Sequence, residues 1–322
     1  MIDIDHREKI DLRDKRVSVI GLGISGTEAA KLANHLGARV FASDSSTDEM
    51  VYSHAMDLMH SHHIASETGI HSDQIFDADL WIISPGIPKY SDIIHKANEK
   101  GIPIVGEIEF ASWFTDSPII AITGSNGKTT TSYILSDMYQ SDNVQSVMAG
   151  NMGIPFSERV LNEIKDQKNN SVYILEISSF QMEFIKHFSP FIVIYTNISP
   201  DHLDRHKSME EYIKMKLKAI KNLKKDGWIV YNIDDDRLDQ SLSKISNRKK
   251  PFSLIKQDAL FYLDGNNIYG PSNNKLIGLD EISLPGNHNI YNFFAAATCS
   301  HLLGLSEYQI TNTMKNFKGL EH

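Results

Sequence analysis

A single cysteine, Cys299, stands in 322 residues. It cannot form an internal disulfide, which suits a reducing compartment. Long apolar runs are missing too, since none approaches the roughly 20 residues that cross a bilayer. The amino terminus carries Asp3, Asp5, Arg7, Glu8, Lys9 and Asp11, where a signal peptide would be apolar. These absences make a cytoplasmic protein without membrane insertion the expectation. Positive charge is also in short supply, with 32 Lys and Arg against 41 Asp and Glu and a net charge of −9. Phosphate backbones demand a basic face, so no nucleic-acid partner is expected. What is present is ordinary for a globular protein: 41% hydrophobic and 23% charged residues. The length exceeds what one core usually serves and predicts two domains.

The most informative stretch runs from Ile119 to Thr130, Ile-Ile-Ala-Ile-Thr-Gly-Ser-Asn-Gly-Lys-Thr-Thr. An apolar β-branched segment empties into a glycine turn, then Lys-Thr-Thr, then a helical pattern from Ser132 to Tyr139. A phosphate-cradling loop needs this context. Glycines let backbone N–H groups converge on phosphate oxygens, the helix start adds positive dipole, and Lys128 supplies a charge. The Thr129 hydroxyl stands where a Mg²⁺ on the phosphates takes a ligand. The spacing departs from G-x-x-x-x-G-K-[ST], because Ile122 stands where that pattern has glycine. The reading is an ATP-binding protein.

Arg16 to Ile20 is a short buried-strand pattern that runs into Gly21-Leu22-Gly23-Ile24-Ser25-Gly26 and a helix-like Thr27 to Leu36. A second strand, Ala38 to Ala42, ends near Asp44, an acidic residue placed where such folds meet a nucleotide. The G-x-G-x-x-G spacing by itself leaves a dehydrogenase open. Strand Leu80 to Ile83 breaks at Ser84-Pro85-Gly86-Ile87, and Ile102 to Gly106 reads as another strand. Alternating short strands and helices imply a mostly parallel sheet, whose ligands sit beyond the carboxyl ends of the strands. The loops at 21–26, 44–46 and 84–87 are therefore expected to line one crevice. His54, His60, His62, His63 and His71 lack cysteines and a clear ligand register. They read as a solvated helix face rather than a metal site.

Further on, Gly150-Asn151-Met152-Gly153 is a turn carrying one amide side chain. Strand Val172 to Leu175 delivers Glu176, a carboxylate suited to holding Mg²⁺ on the nucleotide. Strand Phe191 to Tyr195 leads to Asp201-His202-Leu203-Asp204-Arg205-His206, and Met209 to Leu223 reads as a lysine-rich helix. Asn289 and Asn292, one helical turn apart before an apolar helix from Phe293 to Leu303, suit an adenine edge.

The set T-G-S-N-G-K-T-T, G-N-M-G, L-E-I-S-S-F-Q-M-E, D-H-L-D-R-H and G-N-H-N-I-Y-N, in this order, resembles the Mur ligase family of peptidoglycan synthesis. Ser-Ser-Phe-Gln after Glu176, Ser-Pro-Gly-Ile at 84–87 and Gly-Glu-Ile-Glu at 106–109 resemble the branch that joins D-glutamate to UDP-N-acetylmuramoyl-L-alanine. The resemblance implies an α/β fold, with an amino-terminal Rossmann-like UDP-binding domain over 1–106. A P-loop-type ATPase α/β domain follows over 107–318. It further implies ATP and two Mg²⁺ ions, an acyl-phosphate intermediate, and a monomer.

The roles implied by the resemblance are specific. Gly124, Asn126, Gly127, Lys128, Thr129 and Thr130 bind ATP, while Asn289 and Asn292 contact adenine. Thr129 and Glu176 hold one Mg²⁺. His202 and Lys216, the latter as a carbamate four residues after Tyr212, support the second. Ile24, Ser25, Asp44, Ser45, Ser84 and Gly86 bind the UDP end, and Asn151 and His202 contact the muramoyl substrate. Ser46 departs from an Arg found near the uridine in some members. The family continues past Gly-Leu-x-His-Arg into a third, amino-acid-binding domain, whereas these residues end at Gly319-Leu320-Glu321-His322. Another Mur-type ligase, diamino acid-adding or folate-extending, stays open, as does a nucleotide-binding chain without ligase activity.

Overall fold

The computed structural model describes residues 2–140, 145–167, 170–201 and 203–319. In chain order the elements begin β1 (Arg16–Ile20), α1 (Ile24–His35), β2 (Arg39–Asp44), α2 (Glu49–His62), β3 (Ala65–Thr68), β4 (Leu80–Ile83), α3 (Asp92–Glu99), β5 (Ile104–Gly106) and α4 (Glu107–Ser112). They continue with β6 (Ile119–Thr123), α5 (Lys128–Met138), β7 (Gln145–Gly150), α6 (Phe156–Asp166), β8 (Ser171–Glu176), β9 (Ile192–Tyr195), α7 (Leu203–His206) and α8 (Met209–Leu217). The last are β10 (Trp228–Asn232), α9 (Asp236–Ser243), β11 (Lys249–Phe252), β12 (Tyr262–Asp264), β13 (Asn267–Tyr269), β14 (Lys275–Gly278), α10 (Asn287–Leu302) and α11 (Glu307–Asn316).

Two compact units result, and neither is one run of sequence. The first comprises Met1–Asp116, Gly153–Asn169 and Phe180–Phe188. Its parallel sheet has the order β3-β2-β1-β4-β5, so the strand order reverses between β1 and β4, the place where open α/β sheets receive ligands. Ile20, Trp81, Ile83, Ile94 and Ile102 build its core. Helix α1 packs close because an ideal Cβ on Gly26 would overlap the Gly21 carbonyl oxygen. Two buried carboxylates tie the later segments into this unit. Glu107 Oε1 accepts from Ser157 N at 2.6 Å, at the start of α6. Glu109 accepts from the backbone N–H groups of Lys186, His187 and Phe188 at 2.9, 2.7 and 2.8 Å, and from Trp113 Nε1 at 2.8 Å. The Gly-Glu-Ile-Glu stretch thus has a structural role, because it gathers chain that would otherwise leave buried N–H groups unpaired.

The second unit comprises Ser117–Met152, Asn170–Ser179 and Ser189–His322. Its six-stranded sheet has the order β11-β10-β9-β6-β8-β7 with parallel pairs throughout. Every residue of β6, β8 and β9 is buried, as strands covered on both faces require. Ile120 and Ile122, Ile134 and Leu135, and Phe293 and Phe294 meet in its core. A small antiparallel sheet, β12-β13-β14, had no counterpart in the pattern reading, because its strands are only 3–4 residues long. Helix α8 stops at Leu217 and tightens into a 3-10 turn over Lys218–Ile220, six residues short of the helix expected to Leu223. Helix α10 starts at Asn287 rather than Phe293, since polar residues in its first turns hide the apolar period.

Candidate active site

The loop between β6 and α5 is built on Gly127, which adopts φ +81° at the cap of α5. An added Cβ there would meet the Asn292 carboxamide, so both conformation and space demand glycine. The end of β9 clasps the loop from the side. Ser125 N donates to Asn197 O at 3.0 Å and Asn126 N to Asn197 Oδ1 at 2.9 Å. Thr196 Oγ1 donates to Asn126 O at 2.7 Å, and Ser125 Oγ to Ser199 O at 2.9 Å. Helix α5 begins at Lys128, so Lys128, Thr129 and Thr130 supply first-turn amides, which have no intrahelical partner. Free amides at a helix start are groups that suit an anion.

Two lysines converge on this loop. Lys128 Nζ donates to Gly124 O at 3.1 Å and Ser125 O at 3.0 Å. Lys216 Nζ, delivered by α8, reaches the same Gly124 O at 2.8 Å and lies 4.5 Å from the centre of the Tyr212 ring. Lys216 is 1% exposed. Burial, then the neighbouring Lys128 charge, push its amine down to about 7 against the pull of Asp201. At neutral pH an appreciable share of Lys216 is therefore a free amine.

Across the loop, the buried Glu176 ends β8. Thr129 Oγ1 donates to its Oε2 at 2.7 Å and Asn151 Nδ2 to its Oε1 at 3.0 Å. A carboxylate, a hydroxyl and an amide are the oxygen donors that suit a hard cation such as Mg²⁺, which keeps waters and phosphates as its other ligands. Among the described residues no three His, Cys, Asp or Glu gather as a metal cluster. His202 lies outside the described residues. Asn292 is buried and accepts from Thr131 Oγ1 at 3.3 Å, whereas Asn289 Nδ2 donates to Pro285 O at 3.0 Å. The two amides share α10, but Asn292 faces the loop's foundation rather than solvent.

In the first unit Asp44 governs the glycine turn. Its Oδ2 accepts from Leu22 N at 2.6 Å and its Oδ1 from Ser46 N at 2.8 Å. Ser84 Oγ donates to Gly21 O at 2.9 Å, joining the loops after β1 and β4. Ile24, Ser45 and Gly86 are exposed along this edge and Ser25 is partly so. The expectation of a solvated histidine face is corrected at two positions. His54 Nδ1 is 2.7 Å from Leu22 O, and His71 Nδ1 is 2.7 Å from Ser43 Oγ.

Residues 15–106 match the family described as Mur ligase MurD-like, N-terminal domain, and residues 122–300 match the Mur ligase middle domain. The chain is 38% identical over 318 residues to the UDP-N-acetylmuramoylalanine–D-glutamate ligase of Thermoanaerobacter sp. (strain X514), covering 97% of this chain and 69% of that protein. This chain belongs to the Mur ligase family. The D-glutamate ligase of Christiangramia forsetii is likewise 38% identical over 315 residues, 96% of this chain and 69% of that one. The same fold recurs in the UDP-N-acetylmuramate:L-alanyl-gamma-D-glutamyl-meso-diaminopimelate ligase from Neisseria meningitides. There the TM-score is 0.65 at 16% identity, covering 96% of this chain and all of that one. The UDP-N-acetylmuramate–alanine ligase of Thermotoga maritima gives a TM-score of 0.55 at 20% identity, over 95% of this chain and 69% of that one.

In this Mur ligase folding also creates contacts that the sequence pattern does not show. Ser125 Oγ lies 3.1 Å from Tyr212 OH, and Ser179 Oγ lies 2.8 Å from His206 Nε2. A faint signal existed in the serines after Glu176 and the second histidine of Asp-His-Leu-Asp-Arg-His. The meeting of Lys216 with Gly124, 92 residues apart, had none.

Proposed function

We propose that this Mur ligase uses ATP to join D-glutamate to UDP-N-acetylmuramoyl-L-alanine in cytoplasmic peptidoglycan precursor synthesis, working as a monomer. One observation carries the reading. A loop on which two lysines converge, beside a Glu176–Thr129 pair, lies within a chain 38% identical to a ligase of that name. In the reaction, an oxygen of the alanine carboxylate attacks the γ-phosphorus and ADP leaves, giving an acyl phosphate. The D-glutamate amine then attacks the acyl carbon, and phosphate departs as the amide forms and the amine proton is released. Both steps bring anions together, so positive charge must be concentrated in place before reaction.

Lys128 with the first amides of α5 (Lys128, Thr129 and Thr130) holds the β- and γ-phosphates, and Gly124, Asn126 and Gly127 shape the cradle. Thr129 and Glu176 would hold one Mg²⁺, and His202 with carbamylated Lys216 would hold a second. Bound there, such ions would supply positive charge against the phosphates and the alanine carboxylate. Lys216 reaches its carbamate when the free amine bonds the carbon of carbon dioxide and releases a proton, which turns a cation into an anionic ligand. Asn151 orients the muramoyl substrate from its bond to Glu176. Asn289 meets adenine, with Asn292 fixing the helix beneath it. The UDP end lies over 1–106, along Ile24, Ser25, Asp44, Ser45, Ser84 and Gly86, and ATP lies over 107–318. The test is phosphate release from ATP that requires UDP-N-acetylmuramoyl-L-alanine and D-glutamate together, with thermal shifts for the uridine precursors alongside. Release with a diamino acid or a folate instead of D-glutamate would overturn the assignment.

A further inference from the structure

At the carboxyl edge of the first sheet, a relay of three side chains stands outside the roles given so far. Ser43 on β2 and Glu67 on β3 are register partners, and Ser43 Oγ lies 2.7 Å from Glu67 Oε1. The same hydroxyl lies 2.7 Å from Nδ1 of His71, in the turn that follows β3. Glu67 also accepts from Ser72 N at 2.8 Å, and Gly69 N donates to Ser46 O at 3.0 Å. The turn bearing His71 is thereby fastened beside the turn bearing Asp44.

The protons in this relay have one consistent arrangement. Although burial opposes it, the donors of Ser72 and Ser43 hold the Glu67 carboxyl below its ordinary range, so it is an anion and only accepts. The single hydroxyl proton of Ser43 therefore goes to Glu67, and the Ser43 oxygen accepts from His71 Nδ1–H. Burial keeps His71 below the ordinary histidine range against the pull of Asp44 and Glu67, so the ring is neutral at neutral pH. With Nδ1 protonated, Nε2 carries the lone pair. It is an acceptor on a half-buried ring, fixed in direction by its other nitrogen.

We propose that His71 Nε2 recognises the nucleobase of a uridine nucleotide by accepting its N3–H, with Ser43 and Glu67 as positioning residues. The inference rests on reading the first unit as the uridine-nucleotide site. In such a sheet the diphosphate sits at the glycine turn after β1 and the nucleoside extends past the end of the second strand. The neighbouring turn after β3 is where the base then arrives. Uracil presents a donor at N3, whereas cytosine presents a lone pair there, which would oppose the lone pair of Nε2. A fixed acceptor thus admits one pyrimidine and rejects the other, as buried polar groups left unpaired weigh against the wrong ligand.

Calorimetric titration of the chain with UDP and with CDP tests this, using His71→Asn and His71→Gln. Asn retains a donor toward Ser43 but loses the outer acceptor, and Gln places its amide near the position of Nε2. We expect the parent to bind UDP at least tenfold more tightly than CDP, and His71→Asn to lose that preference at an unchanged melting temperature. His71→Gln should keep part of it, and Ser43→Ala should weaken UDP by a smaller factor. An undiminished UDP preference in His71→Asn overturns the role of His71 while leaving the uridine site standing. Failure of the parent to bind UDP at all removes the uridine reading and this inference together.

Discussion

Glu107 opens α4 and its side chain meets the start of α6, where the fold tolerates its charge poorly. Oε1 accepts from Ser157 N, but Oε2 is buried with no hydrogen-bond partner among the described residues. Burial raises the carboxyl from 4.5 to about 7, with Glu28 adding to it and the Ser157 and Phe156 donors opposing. Between those values the folded chain binds more protons than the unfolded chain, so this group's contribution to stability falls as pH rises. It is fully present below 4.5 and lost as pH climbs through about 7. The span is 7 − 4.5 = 2.5, which at about 1.4 kcal/mol per pH unit amounts to about 3 kcal/mol. Glu107→Gln mimics the neutral acid at every pH and cancels this dependence. Urea unfolding of parent and variant should agree within about 1 kcal/mol at pH 4.5, and the variant should lead by about 3 kcal/mol at pH 8. Tryptophan fluorescence can follow the change, since Trp81 and Trp113 belong to the same unit. All other titrating groups are common to both proteins, so the difference isolates one carboxyl. A gap between the two proteins that stays constant with pH would refute the reasoning.

Lys128→Ala should weaken ATP binding at least about tenfold, because a point charge on the phosphates is lost; unchanged affinity by calorimetry would show the loop misread. Asp44→Ala should weaken the UDP-linked substrate and leave ATP binding intact, since it frees Leu22 N and Ser46 N beside the glycine turn; equal loss of both ligands would contradict separate sites. Glu109→Ala removes the buried acceptor shared by four N–H donors and should destabilise the chain by about 3 kcal/mol or more. A shift under about 1 kcal/mol in urea would discount that anchor. Lys216→Ala should abolish ligation, with partial recovery on adding acetate to occupy the vacated position; normal turnover in bicarbonate-free buffer would exclude the carbamate.

The strand, glycine turn and helix over residues 119–138 were legible because the pattern is local. Strand, glycine turn, lysine and helix start follow one another within a dozen residues, and each constrains its neighbour's backbone. The β1 turn and Asp44 were legible for the same reason, as was Glu176 at the end of an apolar run. Helix ends were less so, since the polar first turns of α10 and the short last turn of α8 carry no periodic signal. Only tertiary structure decided which distant side chains share a partner. Nothing in the spacing of Lys216 shows that it shares Gly124 O with Lys128, or that desolvation and a like charge bring its amine near neutrality. The histidines gave a similar lesson: as a sequence cluster they resembled a solvated face, yet the turn after β3 brings His71 to the hydroxyl of Ser43, the register partner of Glu67. Two domains were expected from the sequence, but that each unit is built from several separate stretches of chain was beyond the linear pattern. Glu107 and Glu109 recruit segments from residues 153–169 and 180–188, and a buried carboxylate selects whichever N–H groups the fold brings to it. Sequence determines the groups that a residue offers, whereas partners, burial and hence protonation belong to the folded chain.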